Sequence, residues 1–168
     1  LVAFGLPDSV MTALARATRI SSLLPSASLP VVRLQSSRWA QDANVLPESI
    51  RAPLPEGGAF TRLRALRERP PLLIETATLV IPPGSNGLRI AAPSITLRDV
   101  TIVTNGAPLA IETETLDVTN STIRSFAAGD AEAAGKNGGM VRIVLHDAMR
   151  GQLVVNLPGQ NGAPGAPG

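Results

Sequence analysis

The sequence contains neither cysteine nor tyrosine. Without thiols there is no disulfide framework, no CxxC zinc site and no thiol nucleophile. One histidine, His146, excludes a multi-histidine metal centre within a single chain. Aromatic residues amount to 2%, namely Phe4, Trp39, Phe60 and Phe126. That is too few to stack the successive bases of a nucleic-acid strand. No apolar run reaches the roughly 18 residues of a membrane-spanning helix. Charged residues are sparse at 17%, and the net charge is only +2. Lys136 is the one lysine, so the high isoelectric point reflects arginine rather than a large excess of positive charge. No nucleic-acid partner and no transmembrane segment are expected.

What the chain does have is turns: 15 Gly and 15 Pro in 168 residues. The length suits one domain with appendages. Self-comparison is the most informative step. Leu88–Ile102 (LRIAAPSITLRDVTI) superimposes on Leu109–Ile123 (LAIETETLDVTNSTI) at an offset of 21 residues. Leu88 meets Leu109, Ile90 meets Ile111, Ile95 meets Leu116, Leu97 meets Val118 and Ile102 meets Ile123. Apolar residues recur at every second position, the period of a strand with one buried face. Each repeat reads as three short strands, at 88–91, 94–97 and 100–103, then 109–112, 115–118 and 121–124. Turn residues at this density suit a coil of a parallel β-solenoid better than a sandwich of ordinary hairpins. Asp99 and Asn120 fall at one corner, where their side chains can form a short polar ladder. Upstream, Leu72, Ile74, Leu79 and Ile81 form an incomplete first coil. Downstream, 139–145 and 152–157 form a last coil, after the small, polar loop 127–138.

A solenoid exposes apolar cross-sections at its ends, so caps are expected. Phe60, Leu63 and Leu66 lie on one stripe of a short helix over 60–69, stopped by Pro70 and Pro71; it is the candidate cap. Residues 8–24 read as a further helix. From Ser26 to Pro55 the chain is proline-rich, and Val31, Val32 and Leu34 suit an extended arm. That arm lies along its own domain or adds to the edge of a neighbour. The chain therefore divides into a helix and arm (1–58), a capping helix (59–71), a solenoid (72–157) and a tail (158–168).

The tail reads GQNGAPGAPG, with Gly159, Gly162, Gly165 and Gly168 every third residue and Pro164 and Pro167 before the last two glycines. This is the Gly-X-Y pattern, in which only glycine fits the axis of three close-packed chains. The stretch GGMVRIV…GQLVVNLPGQNGAPGAPG resembles bacterial secreted or surface collagen-like proteins. GLRIAAPSITLRDVTIV and LAIETETLDVTNSTIRSF resemble the pectin-lyase-like right-handed parallel β-helix. The likeness covers about residues 72–168. It implies a mainly all-β fold, an extracellular or cell-surface location and, if the tail folds, association of three chains.

Chemistry is thinly represented. Glu112, Glu114 and Asp117 are the densest acids, but nothing in their spacing sets two of them across a scissile bond. His146 and Asp147 are adjacent, so on a strand they point to opposite faces; they read as a surface turn. No phosphate-binding glycine loop or calcium loop is present. The sequence therefore predicts a non-enzymatic structural protein without cofactor or metal. It self-assembles into a filament or trimer through the solenoid head and the arm. The alternatives are an adhesin or fibre head with a cell-surface or glycan ligand at the 127–138 loop, and a polysaccharide-active β-helix enzyme.

Overall fold

The computed structural model describes residues 29–34, 40–127 and 136–160. The helix expected over 8–24, Trp39, most of the 127–138 loop and the tail residues Gly162, Pro164, Gly165, Pro167 and Gly168 lie outside them. The described chain is mainly β, with 52% of its residues in strands. The order is β1 (Val32–Leu34), β2 (Gln41–Asp42), a 3-10 turn (Ala43–Val45), α1 (Glu48–Arg51) and α2 (Ala59–Arg67). Then follow β3 (Leu72–Val80), β4 (Leu88–Val103), β5 (Leu109–Arg124) and β6 (Val141–Asn156). All pairings are parallel, in the order β1-β3-β4-β5-β6, with β2 also on β3.

The 21-residue repeat is the register of the sheet: Leu88 pairs with Leu109, Ile95 with Leu116 and Ile102 with Ile123. Each repeat is one long strand rather than three short ones, because the parallel ladder runs on past the expected corners. The corners survive as lapses in pairing, at Pro93 opposite Glu114 and at Asp99–Val100 opposite Asn120–Ser121. Pro93 has no amide to donate. At the second lapse, Asp99 and Asn120 both take positive φ, 53° and 46°. Aspartate and asparagine tolerate that region better than most residues. Asn120 Nδ2 donates to Asp99 Oδ1 at 2.6 Å. The Val100 amide, unpaired on the β5 side, donates to the Ser121 hydroxyl at 3.1 Å.

Alternation places matching side chains in columns through the sheet. Leu72, Ile95, Leu116 and Met149 form one column; Leu79, Ile102, Ile123 and Val155 form another. All ten repeat residues named above as core are buried: Leu88, Ile90, Ile95, Leu97, Ile102, Leu109, Ile111, Leu116, Val118 and Ile123. Each such side chain removed from water contributes about 1.5–3 kcal/mol.

The arm packs in cis where it is described. Val32 and Leu34 pair with Leu72 and Ile74. Ala43, Leu46 and Ile50 join the main core cluster. These residues, which show no regular period, cover the β3 side of the core. The helix expected to cap it does something else. Only Leu66 of α2 is buried, in a separate cluster with Leu54 and Ala91, with Leu63 and Ala65 packed against it. Phe60 is 81% exposed and takes no part. Since Ala91 stands between the core positions Ile90 and Ala92 yet belongs to the separate cluster, α2 lies on the outer face of β4 and leaves the core's end to Ala43, Leu46 and Ile50.

Candidate functional site

Two features stand out from this frame. The first is the β6 end of the sheet. The columns that are sealed at β3 run out here: Met149 is 41% and Val155 45% exposed, while Val141, Ile143 and Leu153 are only partly buried. Leu145 and Val154 add further exposed apolar surface. Among the described residues, no strand pairs with the outer edge of β6. An uncovered edge of 16 residues presents a row of amides and carbonyls free to pair with another chain.

The strand leads directly into the Gly-X-Y tract, and its exit is pinned. Ser125 Oγ donates to the Pro158 carbonyl at 2.6 Å, and the Gln160 amide donates to the Lys136 carbonyl at 2.9 Å. At Gly138, a Cβ would come within 2.3 Å of the Leu157 carbonyl oxygen, so the chain passes there only because glycine has none. Gly159, the first glycine of the tract, lies in this pinned exit.

The second feature ties α2 to the sheet. Glu112, on the outer face of β5, is buried. Arg62 of α2 holds it through Nε at 3.1 Å to Oε1 and Nη2 at 2.5 Å to Oε2. His146 Nε2 donates to Oε1 at 3.0 Å. Burial alone would push the Glu112 carboxyl up, but the hydrogen bonds from Arg62 and His146 outweigh it and hold the group below its ordinary value. One turn along, Arg67 grips Glu114 with Nε and Nη2 at 2.7–3.0 Å.

These contacts correct the expectation of a surface turn at His146. β6 runs unbroken through His146 and Asp147, and the register shifts so that both residues face Glu114 alone. This is a β-bulge, and His146 is half-buried within it. The sequence offers no signal for the bulge or for an arginine 50 residues away. Chemically, Glu112 accepts three hydrogen bonds on its two oxygens, so it serves as a brace between α2, β5 and β6 and offers no free base. Glu114 is held by its own arginine, and Asp117 is exposed opposite Thr96 and Arg150. The three acids do not converge, and among the described residues no group of three or more His, Asp or Glu side chains could hold a metal ion. No described helix is long and apolar enough to cross a membrane.

Comparison with family models, curated proteins and solved structures returned no match.

Proposed function

We propose that this is a non-enzymatic extracellular structural protein. Its head is a short right-handed parallel β-solenoid, and it self-assembles at the β6 end to gather three chains into a collagen-like extension. The solenoid reading rests on chain length. A straight 16-residue strand extends about 50 Å at ~3.3 Å per residue. The link Thr104–Pro108 spans about 20 Å at most, and straight parallel neighbours need a crossover of a dozen or more residues. Consecutive parallel pairing through so short a link supports strands that fold back within their own length, at the lapses described above. The assembly reading is carried by one observation: apolar columns sealed at β3 are open at β6, beside the exit of the Gly-X-Y tract. The Gly-X-Y spacing calls for three chains. The described arm is already committed to its own sheet, so β6 becomes the principal joint.

Light scattering on size-separated full-length protein tests this. The wild type is expected as trimers or larger species, and M149E/V155E as monomers with an unchanged far-ultraviolet spectrum. V31E/F60E, an equal charge change on two exposed residues away from β6, is expected to assemble normally. A monomeric wild type at tens of micromolar, or undisturbed assembly of M149E/V155E, refutes the proposal.

A further inference from the structure

The outer face of β4–β6 carries a second surface, independent of the assembly reading. Arg89, Ala110 and Arg142 are ladder neighbours on three consecutive strands. The two arginines therefore rise on either side of a small residue, about 9–10 Å apart at their Cα atoms. Together with Asn44, Arg51 and Asn86 they line an open depression of about 420 Å³.

The charges here do not cancel. Arg51 is paired with Glu48, and Arg62, at the adjoining rim, with Glu112. The guanidinium groups of Arg89 and Arg142 have no hydrogen-bond or ion-pair partner among the described residues, and both residues are exposed. Arg69, whose guanidinium donates to the backbone carbonyls of Ile50 and Pro53, stands close enough to Arg89 for the two charges to repel. Its pKa is lowered, first by burial and then by the nearby Arg89, against the opposing pull of Glu112 and Glu48. Two exposed guanidiniums without a carboxylate partner, one of them repelled by a neighbouring arginine, form a positive site that an anion neutralises.

We infer that this depression binds a phosphate or sulfate ester carried on a hydroxylated ligand, its oxyanion held between Arg89 and Arg142. A planar guanidinium matches two oxygens of a tetrahedral oxyanion, and two of them across a cleft enclose one. The side-chain amide of Asn86 has no partner among the described residues and is placed to meet hydroxyls. The lining holds no aromatic residue, so it offers nothing to stack a nucleobase.

Calorimetric titration of the full-length protein tests this with four probes: inositol hexakisphosphate, a heparin octasaccharide, a carboxylate-only oligogalacturonate and a single-stranded oligonucleotide. Binding of the phosphate or sulfate probe is expected, and whichever binds tighter identifies the ester. R89A/R142A is expected to weaken it by about tenfold or more. R33A/R64A, which removes the same charge elsewhere, should stay within about twofold. Absence of binding at physiological salt, an equal loss in both double variants, or tighter binding of the oligogalacturonate or the oligonucleotide overturns the proposal.

Discussion

Thr76 is in the wrong conformation for its side chain, and replacing it should stabilise the protein. It sits opposite Asp99, between the pairs Glu75–Arg98 and Ala77–Val100, with φ of 49°. Asp99 and Asn120 repeat that conformation on the next two strands, but Thr76 is the only β-branched member of the column. A left-handed conformation costs a non-glycine residue about 1–2 kcal/mol, and asparagine tolerates it best among residues with a side chain. Thr76 is exposed, so no packing is lost on substitution. An asparagine there also brings an amide beside Asp99, extending the Asp99–Asn120 ladder by one bond. T76N should therefore gain about 1 kcal/mol. With a urea m-value near 2 kcal/mol/M, the unfolding midpoint rises by about 0.5 M. T76G relieves the same strain but loosens the unfolded chain, so it should gain less. T101N, on β4 at ordinary φ, should be neutral or destabilising. A midpoint for T76N at or below that of the wild type refutes the reasoning.

Three further outcomes are expected. Gly151 has φ of 82°, and a Cβ there would lie 1.8 Å from the Val118 carbonyl oxygen; G151A should cost about 3 kcal/mol or more, read as a fall in melting temperature. L116A should cost about 2–5 kcal/mol in urea melts, whereas M149A, in the same column, should cost less at dilutions where the chain is monomeric. E112Q should destabilise at neutral pH. The Glu112 pKa is depressed on folding, so its contribution is fully present above the ordinary value of 4.5 and is lost as the pH falls through the folded value. The gap between E112Q and the wild type should therefore close in acid, and a gap independent of pH would show that the charge is not what matters.

The repeat was legible because strand alternation and corner chemistry wrote the same message twice. Ile90, Ile95 and Leu97 match Ile111, Leu116 and Val118, and Asp99 matches Asn120, so one offset predicts a whole register. The cover over β3 was not legible. Ala43, Leu46 and Ile50 reach the core from a 3-10 turn, a connecting residue and a four-residue helix, none long enough to show a period. Phe60 misled in the opposite way. Its spacing from Leu63 and Leu66 is helical, but the helix is anchored by Arg62 and Arg67 on β5, and that rotation leaves Phe60 outside. The Arg62–Glu112–His146 brace joins three distant segments, and only the folded register brings them together.

The equal spacing of β4 and β5 makes the length of the sheet a matter of counting. A duplicated block of residues 88–108 would present Leu88, Ile95 and Ile102 afresh to the strands on either side, and the corner would again offer Asp99 to a positive-φ neighbour. The cover at β3 and the exit at β6 would keep their partners, but the brace would not: α2 lies on β4 and reaches Glu112 one strand on, where an inserted copy would place Ala91. Growth by tandem copying lengthens the sheet by one strand spacing, about 4.8 Å, per block. Length becomes a heritable quantity that changes in fixed steps, and the α2–β5 brace is the contact each insertion must rebuild.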